Sequence, residues 1–396
     1  MSTRVNIYDL AVGGEGVGRL ADGRVVFVAR AALNDELVVN VTEEKSRYAR
    51  AEIVEVLVAG EGRREPPCQS VEAGCGGCDW QHLTQEAQID AKLSAVEDSL
   101  IKLGSMSPPA IGYVAGPESL KYRTTVRVGI KDGRPAYRAS RSNDLIPVGN
   151  CRVAHPLMDE IFADGFFGAA NEATIRVGAR TGDRLVMGHP NANHFEMPAD
   201  VLVVDKKTAR RGAQAHIVEE AAGVEWRVSA NSFFQSSPEG AEMLVGLAAE
   251  WLTKHDSGEH VLVDLYSGVG LFSGTVGDWF DKVTAVESSA SAVSDALHNL
   301  GSHVAIHHMQ VEKWVPELAD VVIADPPRAG LRSEGVEIIR GTQAPHVILV
   351  SCDAGALGRD AALLSEAGYD LDQVDVLDMF PQTSHVEVVS GWVRRK

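Results

Sequence analysis

Three of the five cysteines fall in one short run, Cys68-QSVEAG-Cys75-GG-Cys78, while Cys151 and Cys352 stand far from it and from each other. An odd number with such crowding suits metal ligation and a reactive thiol better than a disulfide framework. Gly76 and Gly77 let the backbone curl so that Cys75 and Cys78 face one centre, and Cys151, which follows a basic strand region, completes a set of four with Cys68. Four thiolates suit tetrahedral zinc or a 4Fe–4S cluster, and spacing alone does not choose. Cys352 is left over, at the end of the apolar run HVILVSC.

A second centre lies in VLVDLYSGVGLFS, Val261 to Ser273. Val261 to Asp264 reads as a buried strand, Gly268 and Gly270 open a tight loop, and a helix is expected to start near Phe272. Glycines without side chains let a ligand approach the backbone, and a helix N-terminus offers free amides. A dinucleotide fingerprint would place a third glycine where Ser273 stands. Glu287 ends the run VTAVE and Asp325 ends VVIAD, and ligands of doubly wound sheets gather at such carboxyl ends. Tyr266, Glu287 and Asp325 are therefore expected to face one crevice, which Cys352 joins on the next turn.

The elements that must position these groups fall into three stretches. The chain has 396 residues, enough for two or three domains, and 45% hydrophobic content supplies a core for each. Residues 1–58 alternate short apolar runs with glycine and Asn-Asp turns, as in a small barrel of five strands. Residues 59–224 hold the clustered cysteines, a helix over 85–104 marked by Ile89, Leu93, Val96, Leu100 and Leu103, and then, from Ile111, strands of an antiparallel central domain. From residue 225 to 396 strands and helices alternate in the doubly wound pattern of an α/β domain. No apolar run approaches the roughly 20 residues of a membrane helix, and MSTRVNIYDL lacks the apolar core of a signal peptide. The expected setting is the cytoplasm, with no membrane partner and a monomeric chain. A net charge of −18 argues against a polyanionic partner, yet most of it falls after residue 224. Lys121, Arg123, Arg127, Lys131, Arg134, Arg138 and Arg141 run the other way, opposed by Asp132 alone. If RNA binds, Lys121, Arg123, Arg127, Lys131 and Arg138 are the residues to meet it.

Asp264-x-x-x-Gly268-x-Gly270 resembles the first motif of class I S-adenosylmethionine methyltransferases, and GGEGVGRL with GRVVFV resembles the TRAM domain, an RNA-binding barrel of OB-like shape. CGGCDWQHL, NSFFQ, DLYSGVG, DPPRAG, the neighbours of Cys352 and DMFPQTSHVE together resemble, in order along nearly the whole chain, the RNA uridine-5-methyltransferase family. That resemblance implies S-adenosylmethionine as cofactor, held by Gln235, Tyr266, Gly268, Glu287, Gln310 and Asp325. It favours a 4Fe–4S cluster over zinc on Cys68, Cys75, Cys78 and Cys151. It also implies that the 85–104 helix docks on the catalytic domain.

Carbon 5 of uracil is too poor a nucleophile to take a methyl group directly, so an enzyme first adds a nucleophile at carbon 6. The resemblance gives that role to Cys352, and Glu387 is the candidate base that later removes the carbon 5 proton. With its barrel and cysteine set the chain resembles the ribosomal-RNA branch of that family, which implies 23S RNA as substrate, with transfer RNA as the alternative. Several positions depart from the family: Asp353 and Ala354 follow the nucleophile where Asn-Pro is usual, and Gln382 stands where His is frequent. An ionised Asp353 beside the thiol would raise its pKa. A silent iron–sulfur RNA-binding protein is the reading from another class that this departure favours.

Overall fold

The computed structural model describes residues 2–205, 215–255 and 260–396. Six strands curl into the first sheet, in the order Ser2–Asn6, Glu36–Glu44, Tyr48–Val58, Val25–Val28, Gly16–Arg19 and Asp9–Leu10. The sixth, Asp9–Leu10, is two residues long, too short to leave an alternating pattern, which is why only five are expected from sequence. Alternation does place Val5, Val26, Val28, Leu37, Val39, Ala49 and Ala51 inside.

The second sheet runs Leu145–Pro147, Arg134–Arg138, Thr125–Lys131, Glu172–Val177, Arg184–His189 and Val201–Asp205. Its pairs are antiparallel except the last, in which Arg184–His189 and Val201–Asp205 are parallel. A separate hairpin, His216–Ala221 with Val224–Ser229, follows.

Eight strands form the third sheet: Val304–His308, Lys282–Glu287, Val261–Leu265, Val321–Ala324, His346–Ser351, Glu387–Arg394, Tyr369–Leu377 and Ile111–Val114. The first five are parallel, and Glu387–Arg394 inserts antiparallel beside His346–Ser351. Strand order reverses between Val261–Leu265 and Val321–Ala324, and that switch point opens the crevice where such sheets bind ligands. Apolar layers cover both faces. One holds Val96, Leu100, Leu331, Ile339 and Leu357, and the other Leu244, Trp251, Phe272, Phe280 and Met379.

Two expectations are corrected here. Ile111–Val114 does not enter the central sheet but edges the catalytic one, parallel to Tyr369–Leu377. It follows the helix Gln85–Lys102, which buries Val96 and Leu100 in the catalytic core, so the chain has already crossed over before it reaches Ile111. The glycine loop is not followed by an α-helix near Phe272. Turns run on to a 3-10 segment, Val276–Trp279. Gly270, Gly274 and Gly277 each disfavour a helix by roughly 1 kcal/mol relative to alanine. Among the described residues no helix is long and apolar enough to cross a membrane.

Candidate active site

The glycine loop is built around two carboxylates. Asp264, one residue before the end of its strand, is fully buried, and its Oδ2 accepts from the backbone N of Ser273 at 3.1 Å and from Ser273 Oγ at 2.6 Å, while Oδ1 has no partner among the described residues. Ser273, the residue that breaks the dinucleotide pattern, is thus the clamp that shapes the loop. Burial pushes the Asp264 carboxyl up to about 7. Gly268 has φ +58, and a β-carbon there would project into open space, so the backbone itself lines the crevice. Its N donates to Glu287 Oε2 at 3.0 Å, tying the end of the neighbouring strand to the loop. Gln235 is buried and its Nε2 donates to Asp325 Oδ2 at 3.2 Å. Burial and then the Asp264 charge raise Asp325 to about 7. Tyr266 does not stand free in this crevice: its ring packs on the core layer and its hydroxyl donates to Glu312 Oε1 at 3.2 Å. Gln310 is exposed at the start of a 3-10 turn just beyond Val304–His308.

Strand register brings the reacting pair together. His346–Ser351 and Glu387–Arg394 are paired up to Ser351 opposite Val388, so Cys352 and Glu387 face each other one step beyond the ladder. Cys352 is half-buried and Glu387 almost wholly buried. Burial first, then Glu387 and Asp325, push the thiol up to about 11, and Arg328 pulls it back. Burial and Asp325 also drive Glu387 well above the ordinary carboxylate range. Asp353 has another task than disturbing the thiol: its side chain caps the helix Ala354–Glu366 by accepting from Ala356 N at 2.7 Å.

Three side chains at this site carry no role in the sequence reading. Arg328 faces the pair and lies 3.3 Å from His385 Nε2. Phe233, in NSFFQ, is 68% exposed two residues from buried Gln235, and an aromatic ring left in solvent at a crevice rim offers a stacking face. All three sit inside motifs already quoted, and that company is the signal that could have found them.

The segment leading to Glu387 is held by the cysteine region and its helix. Asp79 accepts from Ser384 N at 3.0 Å and from Ser384 Oγ at 2.5 Å. Gln382 is buried, with its N donating to Gln88 and its Oε1 accepting from Arg64 at 2.8 Å. Lys92, fully buried, pairs with Asp378 at 2.6 Å and donates to Phe380 O at 3.1 Å. Trp80 Nε1 donates to Gly14 O at 3.0 Å, and Gly14, at φ +87, leaves room that a β-carbon would lose against Asp79 and Ser384. Barrel, cysteine loop and catalytic segment meet at this point.

With this geometry in view, the relatives are informative. An uncharacterized RNA methyltransferase of Streptomyces avermitilis is 33% identical, over 98% of this chain and 96% of its own length. The chain belongs to the RNA methyltransferase family. A second relative, an uncharacterized RNA methyltransferase of Corynebacterium efficiens, is 32% identical over 99% of the chain and 94% of its own length. The family model described as tRNA (Uracil-5-)-methyltransferase matches residues 317–395, and the TRAM domain model matches residues 3–54. The fold is that of Pyrococcus abyssi tRNA (uracil-54, C5)-methyltransferase, solved with S-adenosyl-L-homocysteine: the TM-score is 0.75 at 22% identity, covering 98% of this chain and 99% of that one.

In this RNA methyltransferase Cys68, Cys75, Cys78 and Cys151 are all buried and line one small pocket of about 40 Å³ with Arg123 and Tyr137. Burial pushes Cys78 up to about 12. Among the described residues no group of three or more His, Cys, Asp or Glu side chains is arranged to hold a metal ion as it stands. The basic residues are dispersed and largely engaged. Arg123 faces the cysteines, Lys121 pairs with Asp159 at 2.6 Å, and Arg127 and Arg138 share Glu172. Lys131 is exposed and donates to Leu145 O at 3.3 Å.

Proposed function

We propose that this chain transfers a methyl group from S-adenosylmethionine to carbon 5 of a uridine in structured RNA, ribosomal RNA of the 23S type first, through a covalent bond between Cys352 and the ring. The observation that carries the reading is the thiol and carboxyl facing each other beyond one strand ladder, beside the Gln235–Asp325 pair. The family description and the name of the Pyrococcus abyssi enzyme, both of which specify uracil carbon 5, support it.

The crevice suits a cationic sulfonium ligand: it holds two carboxyls raised by burial, one with a buried oxygen that has no partner among the described residues, over a loop whose backbone is bare at Gly268. Gln235, Tyr266, Gly268, Glu287, Gln310 and Asp325 would hold the cofactor, which when bound supplies the methyl group as an electrophile. Cys352 adds as thiolate to carbon 6, and the electron pair of the 5,6 double bond moves toward carbon 5 and the carbonyl at carbon 4. Carbon 5 gains the methyl group. Glu387 then takes the carbon 5 proton, the double bond re-forms and the thiolate leaves. Arg328 offsets negative charge at the pair, and Phe233 offers a face on which a base can stack.

The sulfur-only donor set around the small pocket fits a 4Fe–4S cluster on Cys68, Cys75, Cys78 and Cys151, which would cross-link the loops that grip Asp79 and Ser384. On this reading the chain divides into domains 1–58, 59–224 and 225–396, with 85–114 packing on the last. RNA is met by the barrel and by the exposed part of the basic strands, Arg127, Lys131 and Arg138, with Lys121 and Arg123 holding the base of that region. Transfer RNA is the second reading, favoured by the Pyrococcus abyssi name. Nucleoside mass spectrometry of ribosomal and transfer RNA, with and without the gene, tests both. Loss of 5-methyluridine from one pool identifies the substrate, and unchanged 5-methyluridine in both contradicts the proposal.

A further inference from the structure

The segment 231–235, NSFFQ, faces in and out by turns: Ser232 is buried, Phe233 stands in solvent, Phe234 packs on Trp226 with ring centroids 6.2 Å apart, and Gln235 is buried again. A ring in solvent keeps a fixed place only where the backbone on both sides of it is held. After Phe233 the tethers are Gln235, which donates to Asp325, and Ser236, whose O accepts from Thr124 N at 2.9 Å. Before it the tether is Ser232.

Ser232 reaches a polar stripe on the helix Ala290–Asn299. Ser291, Asp295 and Asn299 recur every four residues, which puts them on one face of that helix. Asp295 is fully buried, and a buried carboxylate needs donors converging on it. Its Oδ2 accepts from Ser232 Oγ at 2.5 Å and from Ser229 N at 2.8 Å, its Oδ1 accepts from Ser229 Oγ at 2.7 Å, and Arg227 pairs with it at 3.2 Å. Ser291 Oγ lies 2.8 Å from Ser232 Oγ, and Arg176, on the central strand Glu172–Val177, donates to Ser232 O at 2.6 Å. Asn299 accepts from Arg227 N at 2.9 Å and donates to Val269 O in the glycine loop at 3.1 Å. At its other end the helix follows Glu287, whose Oε1 accepts from Ser289 N at 2.5 Å and whose Oε2 accepts from Gly268 N. One helix thus fastens the glycine loop, Glu287 and the backbone beside Phe233, and a buried network satisfied in this way is rigid.

We propose that Ser232 and Asp295 are positioning residues for the target nucleotide: they fix Phe233 against the cofactor crevice, so that a base arriving from RNA meets a ring already in place. This rests on the reading of the chain as an RNA uridine methyltransferase with Phe233 as a stacking face. Neither side chain meets the reacting atoms. Their effect passes through Phe233, because Gln235 and the glycine loop have tethers of their own in Asp325, Asp264 and Asn299.

The test measures initial rates of methyl transfer from labelled S-adenosylmethionine to total RNA of cells lacking the gene, over a range of RNA concentrations, together with S-adenosylhomocysteine affinity by calorimetry. Phe233→Ala should raise KM for RNA about tenfold, the value of one base–aromatic stack. Ser232→Ala, which removes one oxygen, should raise it about fivefold while kcat and S-adenosylhomocysteine affinity stay within about twofold of wild type. The double variant should go no further than Phe233→Ala alone, since a ring that is absent cannot be misplaced. Asp295→Asn should repeat the KM effect, and the Ser232 variant decides the matter where the Asp295 variant does not fold. An unchanged KM for RNA in Ser232→Ala overturns the proposal, as do equal losses in kcat and S-adenosylhomocysteine affinity, or losses that multiply in the double variant. A wild-type chain that binds S-adenosylhomocysteine and methylates no RNA overturns the underlying reading and the positioning role with it.

Discussion

Cys352 lies between two carboxyls, Glu387 and Asp325, with Arg328 opposing them, so its reactivity reports the balance directly. With the thiol pushed up to about 11, only a small thiolate fraction exists near neutrality. Alkylation of Cys352 by iodoacetamide, followed by peptide mass spectrometry, should rise about tenfold per pH unit between about pH 7 and 9, and Arg328→Met should slow it. A rate flat across that range would contradict the arrangement. Asp264 gives a stability test. Its carboxyl moves from 3.8 to about 7 on folding, so the folded state holds its proton more tightly, and the stability this confers is complete below about pH 4 and lost as pH rises through 7. Asp264→Asn should therefore stabilise the fold at about pH 8, by on the order of 4 kcal/mol at most, and change its stability little at about pH 4, as urea unfolding at the two pH values would read. A less stable variant at the higher pH would show that Asp264 is held ionised. At this scale much of the site was legible, because Cys352, Glu387, Asp325 and Gln235 lie in motifs whose chemistry needs those residue types. Arg328, His385 and Phe233 were not, because their roles depend on neighbours brought in by other strands. Asp353 misled for the same reason: sequence adjacency to a thiol says nothing of a side chain turned to cap a helix.

Among the elements, the helix Gln85–Lys102 was the most legible, since Val96 and Leu100 repeat at helical spacing and both are buried. Lys92 interrupts nothing in that pattern, yet it is the residue that reaches across to Asp378. Breaking a buried ion pair from one side costs roughly 3–5 kcal/mol, while replacing both partners with apolar groups is often neutral. Lys92→Met should accordingly lower stability by that amount and depress methyl transfer through the Glu387 segment. Lys92→Met with Asp378→Leu should recover most of the stability, measured by urea unfolding. A double variant as unstable as the single one would mean that Lys92 contributes through something other than the pair. The two misplaced elements have physical causes. Four residues of Ile111–Val114 carry no information about which sheet they join, and that choice is made by the helix before them. Three glycines after Gly268 keep the loop in turns where a strand–turn–helix unit was expected.

At the scale of the whole molecule, the cysteine loop, the barrel turn at Gly14 and the catalytic segment 378–386 close on one another, through contacts 66 residues apart in the chain for Trp80 with Gly14 and 294 and 305 apart for the catalytic segment, which no local pattern encodes. The doubly wound class was legible from the alternation of strands and helices, and the junction was not. If the four cysteines hold a 4Fe–4S cluster, protein purified without oxygen should be brown, with iron and sulfide each near about four per chain. Cys75→Ser should lower the unfolding midpoint more than it lowers the rate of the protein that remains folded. Colourless protein carrying one zinc would replace the cluster with a structural metal. The central claim, that Cys352 bonds to the uracil ring and Glu387 acts only afterwards, is tested most directly by trapping. Glu387→Gln keeps the size of the side chain but cannot take the carbon 5 proton. Incubated with RNA and S-adenosylmethionine labelled in its methyl group, this variant should accumulate a protein–RNA adduct that survives denaturant and contains the label, and Cys352→Ala should form none. An adduct in the Cys352→Ala protein, or turnover by Glu387→Gln at the wild-type rate, would contradict the account.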